Sequence, residues 1–178
     1  MNDTANKQKP PLGSSYLNPV PMGKTVKTKI ERGDAYAAPE VYDLEITVRE
    51  TVRGNGAQEQ INAQGVTDKP PMEGFEYLLA RIQFAYLRRG KGFGDSPYRL
   101  AEGQFITASQ DGKTFYELPE ILKQPQPQLA GSLFKSGESR EGWLLFQVPQ
   151  DDQTSLLIFD REYEEGVYGL WGYVWFQI

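Results

Sequence analysis

The chain has 178 residues, with 24 acidic and 19 basic side chains, a formal charge of −5, and neither Cys nor His. That length suits one ordinary domain whose core needs no cross-links, and the acidic balance argues against a nucleic-acid partner and offers no attraction to an anionic membrane surface. The two missing residue types exclude disulfides, thiol nucleophiles, thiolate or imidazole metal sites and a Ser-His-Asp triad, so any catalysis would fall to carboxylates, Lys, Tyr or an oxygen-ligated metal.

In chain order, residues 1–15 ("MNDTANKQKPPLGSS") are polar and rich in Pro, Gly and Ser, and read as a flexible leader or tether ahead of a single domain over residues 16–178. The leader has no export-signal pattern and no lipid-accepting Cys, so any lipid anchor would lie upstream. "NPVPMG" (18–23) is extended and lies outside any central ladder. "KTVKTKI" (24–30) has the charge of an edge strand. In "VYDLEITVRETV" (41–52), Tyr42, Leu44, Ile46, Val48 and Val52 share one parity while Asp43, Glu45, Thr47, Arg49 and Thr51 share the other. This period of two predicts a strand with one dry and one solvated face.

"GNGAQEQINAQG" (54–65) has room for a turn or two of helix, near residues 57–64. "FEYLLARIQFAYL" (75–87) reads as a long central strand with Leu78, Ala80, Ile82, Phe84 and Tyr86 on its core side. "RRGKGFGDSPYR" (88–99) reads as a Gly-rich hairpin tip. It lacks the spacing of a phosphate-binding loop, leaving only local anion attraction by Arg88, Arg89, Lys91 and Arg99. "QDGKTFYEL" (110–118) predicts a hairpin, with Asp111-Gly112 suited to a turn needing positive φ at both residues. Three prolines mark 119–131 as a crossover.

In "GWLLFQVP" (142–149), Leu144, Phe146 and Val148 point one way and Trp143, Leu145 and Gln147 the other. Pro149 ends the strand, "QDDQTS" supplies a turn, and "LLIFD" (156–160) starts another strand. The last strand, 170–178, puts Leu170, Val174, Phe176 and Ile178 on one face and Trp171, Tyr173 and Trp175 on the other. Seven to nine strands with turn signals between them predict an all-β fold, either an antiparallel sandwich or a closed barrel.

The succession "NPVPMGKTVKTK", "YDLEITVRETVRG", "PMEGFEYLLARIQFAYL", "ITASQDGKTF", "EGWLLFQVPQDD" and "LLIFD" resembles the telokin-like immunoglobulin-fold domains. These occur in secreted proteins and surface lipoproteins, mainly of Gram-positive bacteria. Gly74-Phe75-Glu76-Tyr77-Leu78-Leu79, Asp111-Gly112-Lys113 and Gly142-Trp143-Leu144 through Val148-Pro149 carry the likeness, which spans residues 16–176. The resemblance implies an immunoglobulin-like β-sandwich, an extracellular location and often a lipid anchor. It brings no catalytic residues, no cofactor and no agreed ligand.

The candidate binding residues are therefore Trp171, Tyr173 and Trp175, with Trp143 extending the row if its strand lies alongside. An exposed aromatic ladder binds sugars or apolar peptide by ring stacking and apolar contact; if covered, the same row is simply core. Asp151-Asp152 and 160–165 ("DREYEE") are acidic but do not match calcium-loop spacing, so they read as solvated loops and no metal is expected. The expected function is a non-catalytic binding module for a protein or glycan at the cell surface. A carboxylate-dependent hydrolase of glycans and a structural spacer are the competing readings.

Overall fold

The computed structural model describes residues 10–32, 40–91, 97–161 and 172–178. In chain order the elements are β1 (Val26–Arg32), β2 (Glu40–Arg53), α1 (Gly54–Gln64), β3 (Phe75–Lys91), β4 (Tyr98–Arg99), β5 (Phe105–Ala108), β6 (Phe115–Tyr116), β7 (Leu133–Phe134), β8 (Glu138–Pro149), β9 (Leu156–Asp160) and β10 (Tyr173–Gln177). They form a first sheet ordered β1-β2-β3-β8, a second ordered β10-β9-β5-β6, and the two-stranded pair β4-β7. Every strand pairing is antiparallel. The fold is an all-β, immunoglobulin-like sandwich rather than a closed barrel. Among the described residues the ten strands exceed the expected seven to nine because β4, β6 and β7 are two-residue pieces.

The alternation of apolar residues explains how the layers meet. Leu44, Ile46 and Val48 of β2, Leu78 to Tyr86 on one parity of β3, and Leu144, Phe146 and Val148 of β8 face Phe105, Leu157, Phe159, Val174 and Phe176 of the second sheet in one buried cluster. Phe84 sits among rings, with centroids 5.5 Å from Tyr98, 5.0 Å from Phe134 and 6.0 Å from Phe159. Such ring pairs add about 0.5–1.5 kcal/mol beyond their area burial.

One predicted core residue lies on the other face. Val48 opposes Ile82 and Glu50 opposes Arg81, so Arg49 is an extra residue in β2. A bulge of one residue inverts every later side chain. Val52 consequently pairs with Leu79 and packs with Tyr77, Leu79 and Leu145 on the outer face of the first sheet. That face is apolar because α1 covers it through Ala57 and Ile61.

The helix has three turns, starting at Gly54 rather than near residue 57. It has no side-chain cap at Arg53 and no acid in its first turn. Packing therefore sustains it, as expected for so short a helix. It ends where Gly65 takes φ 62°, with the Gly65 and Val66 amides returning to Asn62 O and Ile61 O at 3.1 Å each. Arg53 instead serves the sheet end, donating to Glu76 at 2.8 Å and to the Asp152 carbonyl at 2.9 Å.

Residues 10–15, read as the end of the leader, are held to the second sheet through the backbone. Trp175 N–H donates to Gly13 O at 2.9 Å, Val20 N–H to Trp175 O at 2.8 Å, and Gln177 N–H to Val20 O at 2.9 Å. Pro10 to Val20 thus line the outer edge of β10, with a parallel bridge between Val20 and Phe176, before the chain crosses to β1 in the other sheet. The remainder of the predicted leader, 1–9, lies outside the described residues.

The two apolar runs around Pro149 are strands, as read, but β8 and β9 belong to different sheets. The Gln150–Ser155 turn is the arch between the layers. Asp152 organises it, accepting from the Thr154 amide at 2.9 Å and the Tyr116 hydroxyl at 2.9 Å. Burial opposes ionisation of Asp152, but these hydrogen bonds outweigh it and hold the carboxyl below its usual range. Burial, aided by the Asp152 carboxylate, pushes the Tyr116 phenol well up.

Candidate functional site: an aromatic face on the second sheet

Strand β10 alternates so that Val174 and Phe176 enter the core while Tyr173 and Trp175 point outward. Register places Trp175 beside Ile158 of β9, which lies beside Ile106 of β5. Ala108, Leu156, Ile158 and Trp175 form a small buried cluster, with Ile106 and Tyr173 packed against it. The outer face of this sheet is thus an apolar floor.

Two further rings complete it. Tyr16 meets Trp175 edge-on at 6.0 Å, Trp175 meets Tyr173 at 5.8 Å, and Tyr173 meets Phe115 of β6 at 5.6 Å. The four rings run as a chain across the sheet. Trp175 is only 7% exposed, whereas Tyr16 is 39%, Phe115 44% and Leu17, next in sequence to Tyr16, 64% exposed. The accessible ring surface therefore belongs to Tyr16 and Phe115, with Tyr173 half-buried.

The hairpin tip between β5 and β6 closes one side of Trp175. Gly112 has φ +68°, and a Cβ there would lie 2.9 Å from Tyr16 Cδ1 and 3.0 Å from Trp175 Cη2. Only glycine satisfies both the left-handed backbone and this close approach. Asp111 does not share the positive φ predicted for it. It caps the turn through its side chain, accepting from the Ser109 hydroxyl at 2.7 Å and the Lys113 amide at 3.2 Å. The Ser109 bond, foremost among these, lowers its ionisation range.

Of the sequence candidates, Tyr173 and Trp175 come together here. Trp171 lies outside the described residues. Trp143 does not extend the row: it sits on β8 of the first sheet and packs with Leu145 and Ile121 on the far outer face. Tyr16 and Phe115 were not singled out in the sequence. Tyr16 stood at the edge of an apparent leader, and Phe115 in a strand of two residues carries no periodicity.

The segment read as a Gly-rich hairpin tip over 88–99 begins later than expected, and residues 92–96 lie outside the described residues. Strand β3 continues to Lys91, so Arg88 and Arg89 lie in a ladder, not in a loop. Arg88 donates to Asp43 at 2.7 Å, and Arg89 is paired with Glu40. Asp43, on the parity expected to be solvated, is buried at 9% exposure and also meets Lys29 at 3.6 Å. The hydrogen bond from Arg88 is the chief reason its carboxyl lies below the usual range. A depressed carboxyl stabilises the fold above its unfolded value and loses that contribution as pH falls through its folded value. Asp43→Asn is therefore expected to cost about 1 kcal/mol at pH 7, with the difference from the wild type closing in strong acid. Urea unfolding at pH 7 and in strong acid checks this; a pH-independent difference would contradict it.

Among the described residues, no three acidic side chains converge to hold a metal ion. No family model matches the chain, and no curated protein matches it. Solved structures do match. A Bacillus subtilis protein described as a candidate lipoprotein is 16% identical, with 85% of this chain aligned and a TM-score of 0.47; this chain spans 38% of its length. The secreted protein MPT63 of Mycobacterium tuberculosis is 15% identical, with a TM-score of 0.54 over 90% of this chain and 98% of its own. The chain shares the MPT63 fold along almost the whole length of both.

Proposed function

We propose that this protein is a non-catalytic, extracellular binding module of telokin-like type, which takes a glycan or protein partner at the cell surface on the aromatic face of its second sheet. The observation that carries the reading is the chain of rings in which partly exposed Tyr16 and Phe115 flank half-buried Tyr173 and sealed Trp175. Aromatic rings on a flat, rigid sheet offer stacking area at low entropic cost. The telokin-like sequence pieces and the MPT63-like fold support an exported module. The absence of Cys and His from the whole chain favours binding over catalysis.

Trp emission, titrated with cell-wall glycan fragments and with surface-protein extracts fractionated to purity, tests the proposal. Phe115→Ala and Tyr16→Ala remove partly exposed surface rings outside the buried core clusters, so they are expected to fold normally and to weaken a saturable response about tenfold, or about 1.4 kcal/mol. Saturable binding untouched by both substitutions would place the partner elsewhere. A flat response to every partner would favour a spacer.

A further inference from the structure

We infer that the free edge of β8 at Leu145 is a second binding site, independent of the aromatic face, and that it takes one extended residue of a basic peptide by backbone pairing. Among the described residues, strand β8 is terminal in its sheet, with β3 on one side and on the other an isolated parallel bridge from Gln128 to Trp143. Its residues alternate in the direction of their main-chain groups. Two contacts set the phase. Trp143 N–H turns away from β3 to donate to Pro127 O at 3.0 Å, and Gln147 O turns away to accept from the Thr107 hydroxyl at 3.5 Å. Leu145 lies between them on the same phase, in a register without slips. Its N–H and C=O therefore also face away from β3, where no described residue meets them. Leu145 is only 6% exposed, and main-chain groups so placed require partners.

Those groups open onto a cleft of about 240 Å³ that touches Leu144, Leu145 and Phe146 in succession. The side chains of three consecutive strand residues point to alternating faces, so a cavity touching all three runs along the backbone edge. Leu118, Pro119 and Ile121 form its apolar wall, and exposed Glu102 and half-buried Gln124 complete it. The volume is below that of a drug-sized ligand site.

The chemistry selects the ligand. A parallel pair of N–H and C=O on one residue is complemented by the C=O and N–H of one residue in another extended chain, as in strand addition. A single planar amide does not match, because its N–H and C=O point opposite ways. The walls suit a compact apolar side chain. The Glu102 carboxylate and the −5 charge of the chain favour cationic neighbours on the peptide. The crossover at Pro127 and the contact at Thr107 block longer pairing, so recognition is limited to one residue in register.

Titration of the wild-type protein with acetyl-Lys-Val-Lys-amide, followed by amide NMR, tests this. A saturable shift of the Leu145 N–H resonance is expected. Methylating the Val nitrogen of the peptide removes its donor and is expected to weaken binding about tenfold. Replacing both Lys with Glu is expected to weaken it further, and Leu118→Trp, at an exposed wall residue, to abolish it. Tyr16→Ala and Phe115→Ala leave this binding unchanged, which separates it from the aromatic-face proposal. An unmoved Leu145 resonance, or equal binding of the N-methylated peptide, would overturn the inference, and both are read on wild-type protein.

Discussion

Phe84→Ala is expected to destabilise the protein by about 3–5 kcal/mol. Phe84 is fully buried and holds the centre of a ring cluster drawn from three separate parts of the chain: Tyr98, Phe134 and Phe159. Truncation leaves a cavity whose walls belong to strands pinned by their own ladders, so collapse into the space is restricted. The effect also spreads, because β4 and β7 are two-residue strands whose Tyr98 and Phe134 anchor them to the core. For a chain of this size each kcal/mol moves the melting temperature by about 2–4 °C, so a fall of roughly 6–20 °C is expected. Calorimetry and urea titration measure it. A loss below about 1 kcal/mol would mean that the rings repack freely and that the sandwich centre is not the rigid cluster described.

Gly142→Ala is the second large effect, and it acts through space rather than volume lost. A Cβ at Gly142 would lie 2.4 Å from the Pro127 carbonyl oxygen, 2.9 Å from Leu129 Cβ and 3.0 Å from Leu129 N. Two of these are main-chain atoms, which cannot rotate away. The crossover must lift from β8, breaking the Trp143–Pro127 hydrogen bond. Overpacking of this kind costs about 1–3 kcal/mol, occasionally more, and the upper end is expected here. Trp143 packs beside the same crossover with Ile121, so its emission should shift to the red. Gly74→Ala is the control: it has φ +77° but open space around its Cβ, so backbone strain of about 1 kcal/mol is its whole cost. Equal urea midpoints for Gly142→Ala and wild type would show that the crossover is not clamped to β8.

The alternating pattern of single strands was legible without coordinates. Leu44, Ile46, Phe84, Leu144 and Phe146 face the core because side-chain direction in a strand has period two, and burial of one face makes that period visible in the residues. The pattern misled where it was assumed to continue unbroken. Val52 changes faces at the Arg49 bulge, and nothing local in "TVRETV" announces an unpaired residue. Asp43 was assigned to water because it is charged; it is buried because Arg88 and Lys29 arrive from neighbouring strands to neutralise it.

The candidate site shows the same division. That Tyr173 and Trp175 share a face follows from their spacing alone. That Trp143 does not join them, that Tyr16 and Phe115 do, and that Trp175 is sealed rather than open all depend on which strands become neighbours. The amino-acid order by itself determined an all-β chain, the inward parity of its main strands, the crossover at 119–131 and the exclusion of Cys and His chemistry. These are properties of one residue and its near neighbours. Tertiary structure alone decided the sheet order, the docking of residues 10–20 on β10, the pairing of Arg88 and Arg89, and the unfilled edge at Leu145. Each of those rests on contacts between residues far apart in sequence, which exist only once the two layers have closed.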